Sequence, residues 1–104
     1  MASMEDDYLL RLIRQLAVFV RRCLNLKGEG RLVEAQQALD DAWMQLLGLP
    51  RHVAATVDVA SLARILGTAE RAQVAADLLD LEAALLGADH AAALRSRAEK
   101  LRVR

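Results

Sequence analysis

Aromatic side chains are nearly missing from this 104-residue chain, which has one Phe, one Trp and one Tyr, 3% in all. A β-rich core draws on aromatic and β-branched residues, so their scarcity argues against sheet. Cysteine occurs once, at Cys23, which rules out an intrachain disulfide and suits a reducing compartment. Proline also occurs once, at Pro50, leaving long stretches free of that breaker. An excess of either charge is lacking too, with 14 Lys and Arg against 14 Asp and Glu. Nucleic acid and anionic membranes usually select a basic surplus, so neither is the default partner. No apolar run approaches the roughly 20 residues that span a bilayer. Leu9–Val20 comes nearest and is broken by Arg11, Arg14 and Gln15. Glu5, Asp6 and Asp7 occupy the place of a signal peptide's basic region, so a cytoplasmic location is expected.

Alanine and leucine fill the space these absences leave, at 20 residues each. Both lead the helix propensity scale, and together they predict an all-α domain. The most regular stretch lies in residues 28–47, where Ala35, Leu39, Ala42 and Leu46 recur at spacings of four, three and four. Small and large residues alternate there along one helix face, which lets a neighbour approach at alanine and interlock at leucine.

Five helices are expected over a single domain spanning 1–104. Residues 1–4 read as a loose N-terminus, and whether Met1–Ser3 is native is left open. Ser3 and Asp6 resemble a capping box for a helix from about Glu5 to Leu26. Its expected buried face is Leu9, Leu12, Ile13, Leu16, Phe19 or Val20, Cys23 and Leu24, with Asp7 able to pair with Arg11. Lys27–Gly30 form a turn, and a second helix over about 31–47 returns antiparallel to complete a hairpin over 5–47. Gly48 and Pro50 stop it. Residues 51–58 are the least decided, suited at most to a helical turn. Asp58 caps a short linking helix over 59–66, Gly67 breaks it, and Thr68 caps a fourth helix over about 69–86. That helix has a wide apolar arc, with Glu70, Asp77 and Asp80 marking solvent. Asp89 is the expected cap of a last helix over about 90–101, giving a second hairpin over 69–101. Ala91, Leu94, Ala98 and Leu101 repeat the small-and-large face there. The cations of the tail suit a helix C-terminus.

Gly30, Glu34-Ala35, Leu39, Ala42 and Pro50 follow a glycine, Glu-Ala, large apolar, alanine, proline progression. In this the first hairpin resembles a tetratricopeptide repeat. The proline comes about three residues late, and Phe19, Cys23 and Leu26 stand near the family's tryptophan, glycine and tyrosine. The second hairpin keeps mainly Ala91 and Ala98 at the seven-residue spacing. The opening EDDYLLRLIRQL also resembles a group of small bacterial all-helical proteins, a likeness that implies a bacterial origin and no activity. Repeat hairpins bury one face and offer another, so the resemblance implies protein–protein interaction or assembly. A two-hairpin array is short enough to need a partner protein or a second copy, and a homodimer is the expected form.

Chemistry-bearing residues are sparse. His52 and His90 lie 38 positions apart, and Cys23 sits on a predicted core face. None has partners at zinc-ligand or nucleophile spacing, and Asp40-Asp41 and Asp77/Asp80 read as solvated faces. No catalytic residue, metal or cofactor is expected, and the chain reads as a non-enzyme. The partner surface assigned from sequence is the basic side of the first helix: Arg11, Arg14, Arg21 and Arg22. The rival reading is a DNA-binding helix-turn-helix over residues 59–78, with Ala63, Gly67 and Val74 near that motif's positions. Its electrostatics oppose it. Residues 58–94 hold Asp58, Glu70, Asp77, Asp80, Glu82 and Asp89 against Arg64 and Arg71.

Overall fold

A computed structural model describes the backbone of residues 4–103 and the side chains of residues 7–87 and 89–103. The proposed Ser3 cap and the question of Met1–Ser3 lie outside the described residues. The structure is all-α, with no strand among the described residues. Six helices follow in order: α1 Met4–Gly28, α2 Leu32–Leu47, α3 Arg51–Thr56, α4 Val59–Leu66, α5 Ala69–Leu86 and α6 Ala88–Arg102. No described helix is long and apolar enough to cross a membrane.

Three expected boundaries move. Helix α1 takes in Met4, Lys27 and Gly28, so the turn is shorter than expected. Its exit is set by Gly30, whose φ of 76° is the left-handed conformation glycine tolerates. Gly30 N–H then reaches the Lys27 carbonyl and Arg31 N–H the Leu26 carbonyl, which closes the end as a Schellman motif. The undecided residues form α3, a sixth helix started by Pro50, whose missing N–H costs nothing at that position. Helix α6 begins at Ala88, behind Gly87, so Asp89 lies inside its first turn and does not cap it. The two side-chain caps read from sequence are present. Asp58 accepts from Ser61 N–H at 3.4 Å, and Thr68 accepts from Arg71 N–H at 3.2 Å.

Helices α1 and α2 pack as one hairpin and α5 and α6 as another, while α5 also packs on α1, α2 and α4. The alternating face of α2 is buried as expected: Ala35, Leu39 and Ala42 are fully covered and Leu46 nearly so. Helix α5 holds the centre. Ten of its 18 residues are buried, including the consecutive run Val74, Ala75 and Ala76, and only the side of Glu70, Gln73, Asp77 and Asp80 is left open. So wide an apolar arc is the pattern of a helix packed on more than one side.

Ion pairs tie the shorter pieces to this core. Arg51, at the start of α3, bridges Asp40 of α2 and Glu82 of α5, the latter at 2.6 Å. Glu82 is buried, so it is no part of the acidic surface counted from sequence. Arg71 donates to the Leu47 carbonyl at the end of α2, and Arg97 donates to the carbonyls of Ala54 and Val57. Both guanidinium groups thus satisfy helix-end acceptors that have no partner in their own helix.

Candidate functional site

Helix α1 carries two apolar seams, and their fates differ. Leu12, Leu16, Phe19 and Cys23 follow spacings of four, three and four, and all are buried. Leu10, Ile13, Ala17, Val20 and Leu24 follow spacings of three, four, three and four, a heptad-type seam turned roughly a quarter to a third of the circumference away. Leu10 and Ile13 are each 50% exposed and Leu24 is 46% exposed, while Val20 is half-buried. Ile13 and Leu24 therefore depart from the single buried face expected from sequence. The reason is geometric, because one neighbouring helix, α2, covers only a stripe of α1 and the apolar surface is wider than that stripe.

The second seam forms one wall of a groove whose other wall is α5. Ile13, Leu16, Ala17, Val20 and Leu24 face Leu81 and Ala84 across a depression of about 720 Å³. A second depression of about 470 Å³, lined by Leu9, Ile13, Leu16, Ala69 and Val74 among others, shares Ile13, Leu16 and Asp77 with it. The two adjoin at these shared residues and together line α1 from Leu9 to Leu24, about 22 Å at the usual helical rise of about 1.5 Å per residue. Lys27 reaches across to the Ala84 carbonyl and closes one end.

Charge is distributed unequally along the rims. Residues 8–28 carry Arg11, Arg14, Arg21, Arg22 and Lys27 and no carboxylate. At about 100° per residue, Arg14 and Arg21 fall beside the open seam, whereas Arg11 and Arg22 fall on the back of the helix. All four are exposed, and no described residue pairs with them, Asp7 included. By contrast Arg31, Arg51, Arg64, Arg71, Arg97 and Arg102 each have a hydrogen-bond partner within the chain. The α5 rim bears an exposed Glu70 at one end and, further along, Asp77 and Asp80, the latter two held by Arg102 at 2.7 and 2.6 Å. These paired carboxylates are half-buried, where the sequence suggested a solvated face.

The remaining candidates sit apart. Cys23 is fully buried and its thiol donates to the Ala35 carbonyl at 3.6 Å, so it behaves as a core residue. Burial pushes that thiol above its ordinary pKa, against a smaller opposing pull from Arg22. His90 is exposed in the first turn of α6. His52 is exposed on α3, in a depression of about 510 Å³ that also holds Asp40, Arg51 and Glu82. The sequence did not bring His52 near these carboxylates, since the approach depends on α3 folding back over α2 and α5. Both carboxylates are taken up by Arg51 there. Among the described residues no three His, Cys, Asp or Glu side chains gather as a metal site would require. No family model matches the chain, and no curated protein or solved structure matches it either.

Proposed function

We propose that the chain is a small non-enzymatic protein–protein interaction or assembly module that docks a partner in the groove between α1 and α5. The observation that carries this is the open seam of α1, a complete heptad-type stripe with no helix upon it. Contiguous uncovered apolar surface of this kind marks interaction sites. A second helix is the element that fits such a seam, by the same knobs-and-holes logic that seats α1 on α2. The tetratricopeptide-like hairpins and a bacterial, cytoplasmic setting agree with this reading, and a lone buried cysteine suits a reducing compartment.

The test is absolute mass by light scattering across a wide concentration range, together with binding of an apolar fluorescent dye. Either a self-associated state or a monomer whose groove takes up the dye supports the reading, provided Ile13→Glu abolishes that behaviour. A monomer that binds no dye would sink it. The DNA-binding alternative over 59–78 asks Arg64 and Arg71 to meet phosphate. Arg71 is spent on the Leu47 carbonyl and Arg64 reaches the Ser61 hydroxyl, which weighs against that use. A salt-sensitive DNA affinity that falls on neutralising both would revive it.

A further inference from the structure

Resting on the reading that the groove is a docking face, the nature of its occupant follows from charge. We infer that the groove receives an amphipathic helix of another protein, about four turns long. Its apolar stripe is flanked on one side by carboxylates about seven residues apart. The length comes from the trough, since about 22 Å corresponds to about 15 helical residues. The acidic flank comes from Arg14 and Arg21, two helical turns apart on the α1 rim and without a described partner. Paired at a desolvated groove edge, each would make a charge-assisted hydrogen bond. The opposite rim fixes the side. Asp77 and Asp80 share a single guanidinium, Arg102, so carboxylates on that flank would meet uncompensated negative charge. The partner's acids are confined to the α1 side.

A second copy of this chain fits less well. Helix α1 holds its acids only in its first turns, at Glu5, Asp6 and Asp7. An antiparallel pairing that sets Asp7 of one copy against Arg21 of the other also sets Arg14 against Arg14. Of the second hairpin's carboxylates that line the groove, Asp77 and Asp80 are already engaged with Arg102, and Glu70 stands alone at the far end. Within α1 the complement of the arginine rim is lacking, and an outside helix supplies it.

The experiment uses the full chain and two fluorescent peptides of about 18 residues, each held helical by a lactam staple on its far face. Both carry leucines at three- and four-residue spacing. One has Glu at two flanking positions seven apart, and the other has Lys there. Anisotropy titrations at low and moderate salt should show the Glu peptide binding at least about tenfold tighter than the Lys peptide, with the preference shrinking as salt rises. The double variant Arg14→Glu/Arg21→Glu should reverse the preference, and Ile13→Asp should abolish binding of both peptides. Circular dichroism should report unchanged folding in each variant, because these side chains are exposed.

Equal binding of the two peptides, still lost in Ile13→Asp, would overturn the acidic partner while leaving the docking face intact. Binding of neither peptide, with a dimer that Ile13→Asp dissolves, would overturn it in favour of a second copy. Binding of neither peptide by a monomer indifferent to Ile13→Asp would overturn both readings.

Discussion

The two seams of α1 are both wholly apolar and nearly alike in spacing, yet one is core and the other is largely surface. Leu12 is 3% exposed and Leu10, two residues away, is 50% exposed. Periodicity tells which residues share a face of a helix, but how many faces find a neighbour is settled by the other helices. Here α2 takes one face of α1, α5 takes its edge, and the third is left over. The arginines divide in the same way. Arg51, Arg71, Arg97 and Arg102 tie one helix to another, and those of α1 hold nothing described.

The largest expected difference between the seams is in stability. Leu12→Ala should cost about 2–5 kcal/mol, the range for emptying a buried leucine site, whereas Leu10→Ala should cost less than about 1 kcal/mol. Urea titrations followed by circular dichroism measure both, read from midpoints at constant slope. Similar losses at the two positions would mean that the outer seam is covered in solution and would break the distinction.

The arginine division comes next. Glu82→Gln leaves Arg51 with Asp40 alone in a part-buried place, and the expected loss is about 2 kcal/mol. Arg14→Gln with Arg21→Gln should change stability by no more than about 0.5 kcal/mol, since exposed charges without partners contribute little. A substantial loss in the second variant would place those arginines in the fold and not at a docking rim.

Thiol chemistry sharpens the comparison through adjacent positions. Cys23 should react with a thiol reagent at least about tenfold more slowly in the folded protein than in urea, because attack needs the thiolate and burial disfavours it. Moving the thiol one residue on, with Leu24→Cys in a Cys23→Ala background, should restore fast labelling. A stopped-flow absorbance assay separates the two, and equal rates would mean that the inner seam opens readily.

Much of the fold was legible in local signals. Gly48 with Pro50, the caps Asp58 and Thr68, and the alternating face of α2 each depend on residues within a turn or two of one another. The first helix misled because Ile13 and Leu24 belong to an apolar arc too wide for one partner, and width alone does not say which edge is covered. A second run of three-four spacing beginning at Leu10 was the available clue to the groove. The α5 wall, the Arg51–Glu82 bond and the approach of His52 to Glu82 depend on residues far apart along the chain, 31 positions in the case of the Arg51–Glu82 bond. No local spacing announces such a pair. The four arginines read from sequence as one basic side divide by helical spacing into Arg14 and Arg21 beside the open seam and Arg11 and Arg22 on the back, and the groove that gives the division its meaning is seen only once α5 is in place.

The smallest expected effect concerns acid, and it tests whether the groove is independent of the far side of the fold. The Asp58 carboxylate is held below its ordinary pKa first by its hydrogen bond from Ser61 and in smaller part by Arg64. Because the folded state favours the charged form, the cap contributes fully above the unfolded carboxylate range. That contribution fades as pH falls through the lower folded value. Asp58→Asn keeps an acceptor but loses the charge, so wild type should be the more stable protein above about pH 5. The two should converge only once pH has fallen through the lowered folded value of Asp58, below the ordinary carboxylate range. Asp58 caps α4, which packs on α5 and α6, while the groove is built by α1 and α5. Peptide binding at pH 6 should therefore be identical in the two proteins even though their denaturation midpoints differ. If Asp58→Asn weakens binding as well, the α4 end of the molecule and the groove move together, and the open seam is not the self-contained surface that its geometry describes.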